Sequence, residues 1–208
     1  MIYFLAHSDW ILFNSRKEIA NHLKKLNYKV NAITTEEEYK EDLKKYFNNF
    51  YNWRVNRYKL IDIKGIINLR KILKQVKKGD IVHIYTLKSG LYVLFASHFM
   101  KKKYKVVLSI TGLGYLFSRG ISSKIMRNIL RFYMKYFLNK NIDNLIFQNE
   151  IDQKILKKYL NYKKETFLIK GSGLNLPSFS MKKWPVTIQK MWKNQKKHGK
   201  QKSCASKC

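Results

Sequence analysis

Between Val106 and Phe117 an apolar run breaks into two glycines one residue apart, Val106-Val107-Leu108-Ser109-Ile110-Thr111-Gly112-Leu113-Gly114-Tyr115-Leu116-Phe117. Its first half is apolar at consecutive rather than alternate positions, which suits a parallel strand covered on both faces. Helices must then flank it, so the chain is constrained to an α/β layering. Gly112 and Gly114 allow backbone conformations closed to other residues and let a ligand come close. Ligands of open α/β sheets bind just outside the carboxyl ends of strands, where this loop falls. Two readings stand here: a ligand-binding glycine loop, or a tight turn with no ligand.

Strand-like and helix-like runs alternate along the chain. Ile2 to Ala6 reads as a first strand, and Ser15 as the cap of a helix with Ile19, Leu23 and Leu26 on one face. Val30 to Ile33 is a second strand, Glu36 to Phe50 a partly helical stretch, and Lys59 to Ile63 a third strand. Ile66 to Val76 reads as an amphipathic helix stopped by Lys77-Lys78-Gly79. Ile81 to Thr86 is the fourth strand, Ser89 to Met100 a helix, and the central run the fifth strand. A long helix from Ser122 or Ser123, a strand at Asn144 to Gln148, a helix at Ile151 to Leu160 and a strand at Thr166 to Lys170 complete the series. The expected fold is α/β, a Rossmann-like parallel sheet with helices on both faces, followed by a basic C-terminal tail.

At 208 residues and 45% hydrophobic content, the chain has enough apolar surface for one substantial domain. Its formal net charge of +30 points toward nucleic acid, an anionic membrane surface or phosphorylated ligands. Only seven of the 43 basic residues are arginine, and a lysine excess beside abundant Asn, Ile and Tyr reflects A+T-rich codon usage as much as function. Met1 to Trp10 lacks a basic leader region, and the longest apolar run, Leu91 to Met100, is too short to span a bilayer. Both cysteines, Cys204 and Cys208, fall at the end, which excludes a disulfide framework and suits a cytosolic setting.

After Phe179 the pattern changes. Residues 181 to 208 carry nine lysines and no Asp, Glu or Arg. The domain is expected over residues 1–176, and 177–208 as a lysine-rich tail, disordered or out of frame. A basic nucleic-acid-binding arm is the other reading of that segment.

The helix expected from Ile121 to Phe137 gathers its apolar residues on one broad arc and sets Lys124, Arg127, Arg131 and Lys135 on the other. That basic face is either the solvated back of a core helix or a surface for anionic lipid headgroups and lipid-linked pyrophosphate. The loop after the first strand offers His7, Asn14, Ser15 and Arg16 near a helix N-terminus, a natural phosphate site. His7 is an acid or base, or a structural hydrogen-bonding group, and His83 reads as buried structure. Gly112-x-Gly114 lacks the third glycine of a dinucleotide fingerprint, and no P-loop, zinc cluster, nucleophile elbow or Asp-x-Asp pair is present.

Three ordered segments resemble the N-terminal half of glycosyltransferase family 4: Ser109 to Phe117, then Leu145-Ile146-Phe147-Gln148-Asn149-Glu150-Ile151-Asp152, then Ile169-Lys170-Gly171-Ser172-Gly173-Leu174-Asn175-Leu176-Pro177-Ser178-Phe179. The likeness covers about residues 1 to 180 and is strongest to bacterial enzymes that add a hexose or N-acetylhexosamine to undecaprenyl-diphosphate-linked sugars. It implies the N-terminal half of a GT-B fold, with acceptor on this domain and nucleotide-sugar mainly on a second one. It also implies a retaining, metal-independent reaction. Carried over residue by residue, the likeness places acceptor or diphosphate contacts at Asn14 and Arg16, at Thr111, Gly112, Leu113 and Gly114, and at Asn149.

The family's Gly-Ser-Gly segment leads into the donor domain, whereas here it leads into the lysine tail, as a frameshift would produce. The expected partners are therefore a lipid-linked sugar acceptor, a nucleotide-sugar through a missing C-terminal domain, and the anionic inner face of the plasma membrane, with no metal cofactor. Nucleic acid is not the favoured partner. A basic membrane-surface or nucleic-acid-binding protein without catalysis is the competing reading.

Overall fold

The alternating runs of the sequence become strands and helices, and every described strand pairs in parallel. The computed structural model describes residues 1–59, 61–98, 100, 103–112, 128, 138–160 and 162–171. They belong to a first compact unit, Met1–Ser172, while the second, Gly173–Cys208, lies outside the described residues. Seven strands are present among the described residues: β1 (Ile2–Leu5), β2 (Val30–Thr34), β3 (Asn49–Asn52), β4 (Ile81–Tyr85), β5 (Lys105–Ile110), β6 (Asn144–Phe147) and β7 (Thr166–Leu168). Their order is β3-β2-β1-β4-β5-β6-β7. The fold is α/β and Rossmann-like, as the alternation predicts.

Five described helices connect them: α1 (Asp9–Lys25), α2 (Lys40–Tyr46), α3 (Ile63–Leu73), α4 (Leu87–Ser97) and α5 (Glu150–Leu160). Leu12 and Ala20 of α1 and Leu43 of α2 pack with Phe4, Ala32 and Tyr85 on one face of the sheet. Leu69 and Leu73 of α3, Val93 and Leu94 of α4 and Leu156 of α5 pack with Ile84, Leu108 and Leu145 on the other. Burial on both faces is what makes β5 read as a nearly continuous apolar run; all five residues of β2 are buried as well, Asn31 and Thr34 included. Register sets the faces, with Tyr85 beside Ser109, Ser109 beside Ile146, and Ile146 beside Phe167. Among the described residues no helix lies over the β6–β7 part of the α1 face, and Phe167 stays 39% exposed.

Two expectations need correction. The first helix is capped at Ser8 and begins at Asp9, so Asn14, Ser15 and Arg16 lie inside α1 rather than in a loop before it. Trp10, Ile11, Leu12 and Phe13 form its first turns, an apolar stretch long enough to hide the true start. The third strand is Asn49–Asn52, not Lys59–Ile63. β3 sits at the sheet edge, is exposed or half-buried throughout and carries Asn at both ends, so its pattern is weak. Ile61, just before α3, and Ile63, its first residue, mimic a strand but are solvent-exposed. The expected helix at 121–137, and with it Lys124, Arg127, Arg131 and Lys135, lies outside the described residues apart from Asn128, as do Leu113 and Gly114. No described helix is long and apolar enough to cross a membrane.

Candidate functional site

Because β1 and β4 are neighbours while the chain leaves them toward opposite edges, a crevice opens at their carboxyl ends. The N-termini of α1 and α4 both start there, at Ser8 and Thr86. His7 forms the floor. Its Nδ1 lies 3.1 Å from Thr86 Oγ1 and 3.1 Å from Ser89 Oγ. Its backbone N–H donates to Ser89 Oγ at 3.0 Å, and the two hydroxyls are themselves 3.1 Å apart. Thr86 caps α4 by accepting from the Ser89 N–H, and it does so with φ at 78°. For a β-branched residue that backbone is strained, a cost tolerated where the surroundings over-determine it.

Two cations border the imidazole. Arg57 Nη1 donates to Ser8 Oγ at 3.0 Å and pairs with Glu37 Oε2 at 2.9 Å, while Nη2 donates to Tyr58 Oη at 2.9 Å. Lys88 Nζ donates to the carbonyls of Arg57 and Lys59. Desolvation first, then Lys88 and Arg57, pushes the pKa of His7 down from 6.5 to about 4. His7 is therefore neutral at pH 7, and its Nε2 has no hydrogen-bond partner among the described residues. Burial also lowers the pKa of Lys88. The nearby carboxylate of Asp9, only 1% exposed, is committed to the fold: it accepts from the N–H groups of Trp10, Glu37 and Tyr39. Arg57, Lys88 and two helix N-termini favour an anionic ligand in this crevice, with Glu37 offsetting part of the Arg57 charge.

The residues named from sequence divide by environment. Thr111 and Gly112 follow β5 on this carboxyl edge and are exposed, and a Cβ built at Gly112 would meet nothing within 4 Å, so its backbone is open to approach. Asn149 follows β6 on the same edge, where it caps α5: its Oδ1 accepts from Asp152 N–H at 2.7 Å and its Nδ2 donates to Asp152 Oδ2 at 2.8 Å. Asn14 is exposed on α1 and donates to the Trp10 carbonyl at 3.2 Å.

Arg16 is 4% exposed beneath α1, its guanidinium 4.3 Å from the centre of the Tyr85 ring. It belongs to a polar string that runs Tyr85 Oη to His83 Nδ1 at 3.1 Å and His83 Nε2 to Ser109 Oγ at 2.7 Å. Burial, then Arg16, lowers the pKa of His83 from 6.5 to about 3. Ser8, Arg57, Thr86, Lys88 and Ser89 were not named from sequence. A hydroxyl directly after the apolar runs of β1 and β4 marks Ser8 and Thr86 in hindsight, but nothing in the sequence signals that Arg57 reaches the crevice. No group of three or more metal-ligating side chains occurs among the described residues.

The glycosyl transferase 4-like family model matches residues 1–149. The chain belongs to that family. Among solved structures, a sucrose-phosphate synthase from Thermosynechococcus elongatus is similar, with a TM-score of 0.59 and 13% identity over 93% of this chain and 52% of that one. A glycosyltransferase from Rickettsia africae has a TM-score of 0.57 and 15% identity over 95% of this chain and 48% of its own. A shorter sucrose-phosphate synthase chain, also from Thermosynechococcus elongatus, gives 0.53 and 10% identity over 95% of this chain and 97% of that one. The family 4-like chain thus spans about half the length of the first two. No curated protein matches it.

Proposed function

We propose that this chain is the acceptor-binding half of a GT-B glycosyltransferase that moves a hexose or N-acetylhexosamine from a nucleotide-sugar to a lipid-linked glycan. The carrying observation is the crevice between β1 and β4, where a neutral His7 stands on two hydroxyls between Arg57 and Lys88. A neutral imidazole can accept a hydrogen bond from the acceptor hydroxyl and orient it without adding charge. Arg57 and Lys88 offset the charge of a diphosphate, and the exposed Tyr58 ring offers an aromatic face to a sugar. The open backbone at Gly112 leaves room for the reacting ends to meet.

In this reading the acceptor binds here and the nucleotide-sugar is held mainly by a second domain, without a metal and with retention of configuration. The enzyme works at the cytoplasmic face of the membrane as a peripheral protein. Calorimetric titration with a short-chain polyprenyl-diphosphate-sugar tests the acceptor site. Arg57→Ala should weaken binding about ten-fold or more, as expected for losing a charge-assisted contact. Affinity equal to the parent in both Arg57→Ala and Lys88→Ala would overturn this placement of the acceptor.

A further inference from the structure

At the opposite edge of the sheet, a cavity of about 400 Å³ lies between the carboxyl end of α3 and the segment that leads into β5. Leu73, Val76 and Met100 form an apolar wall, and Arg70, Lys74 and Lys103 line the rest with Tyr104. Tyr104 is 5% exposed, yet its hydroxyl has no hydrogen-bond partner. An orphaned buried hydroxyl is costly, so a site that keeps one has something to gain from a ligand that pairs with it. The three cations make no ion pair among the described residues. The carboxyl end of α3 accounts for some of this charge, but its dipole amounts to only about half an elementary charge against three full ones. Lys103 and Tyr104 come from a different segment and are not explained by it.

We infer that this cavity binds a phosphate-bearing group, with Arg70, Lys74 and Lys103 around the phosphoryl oxygens, Tyr104 Oη donating to one of them, and the organic part against Leu73, Val76 and Met100. The group is either a soluble phosphate ester or the headgroup of a phospholipid. The site is separate from the crevice at the carboxyl edge and does not rest on the acceptor reading.

The test uses the full chain and three probes: inorganic phosphate, glycerol 3-phosphate, and phosphatidylcholine vesicles with or without phosphatidic acid. Tyr104→Phe removes only the hydroxyl and leaves the charge unchanged. Lys74→Ala with Lys103→Ala removes two charges at the cavity, and Lys25→Ala with Lys29→Ala removes two exposed charges elsewhere as a control. Tyr104→Phe and the cavity pair should weaken binding about ten-fold, the control pair far less, and the unliganded Tyr104→Phe protein should melt no lower than the parent. Loss with glycerol 3-phosphate identifies a soluble ester, and loss confined to vesicles identifies a lipid headgroup. Binding of no probe, or equal binding by the parent and Tyr104→Phe, overturns the site.

Discussion

His7 and His83 are both held neutral, by different surroundings. His7 faces Thr86, Ser89, Lys88 and Arg57, and His83 faces Tyr85, Ser109, Phe4 and Arg16. Their pKa values fall from 6.5 to about 4 and about 3, so between these values and 6.5 the unfolded chain binds more protons than the folded one. The stability they contribute is complete above about pH 6.5 and declines as pH falls toward 4. Glu36 and Asp62, whose pKa values lie below 4.5 and 3.8, lose their contributions at lower pH, so the range 7.5 to 5 isolates the imidazoles. Urea midpoints measured across that range should fall for the parent and fall less for His7→Gln. An unchanged slope in His7→Gln would show that His7 titrates normally.

Two helical glycines show how packing decides the sign of a substitution within an element. Alanine raises helix propensity by about 1 kcal/mol at either position. At Gly65 in α3 the added methyl would come within 2.7 Å of Val55 Cγ2 and 3.2 Å of Val55 Cα, and the backbone cannot yield cheaply. The Gly65 carbonyl also accepts from the buried Trp53 indole at 3.0 Å, so moving the helix breaks a second contact. At Gly90 in α4 the neighbours are the Leu108 methyl groups at 3.0 Å, which can rotate. Gly65→Ala should therefore cost about 1–3 kcal/mol and Gly90→Ala less than about 1 kcal/mol, read by chemical denaturation.

The same contrast governs what the sequence discloses. The runs of β1, β2, β4 and β5 are legible because burial on both faces favours apolar residues at most positions, with Asn31, Thr34, His83 and Ser109 as polar exceptions. The edge strand Asn49–Asn52 answers to no such demand, and the exposed Ile61 and Ile63 imitate one. Thr111, Gly112 and Asn149 could be placed at the carboxyl ends of strands because each follows an apolar run. Arg57 reaches the crevice from a segment without regular structure, a path that no local pattern encodes.

A crevice at the carboxyl edge of one sheet supplies one wall of a site. This chain spans about half of each of the two longer structural neighbours, and in the proposed reading the acceptor diphosphate sits against Arg57 and Lys88. Sugar transfer requires donor and acceptor to be held about 3 Å apart, with water excluded. An open, half-exposed edge does neither by itself, so the 208-residue polypeptide should bind a lipid-linked acceptor yet transfer no sugar to it. Incubation with radiolabelled nucleotide-sugars and a polyprenyl-diphosphate-sugar, followed by extraction of the lipid phase, tests transfer, and calorimetric titration of the same preparation with that acceptor tests binding. Label in the lipid phase would mean that the donor site lies within these residues. Absence of acceptor binding in the same preparation would remove the crevice as the acceptor site, whatever the outcome at the donor.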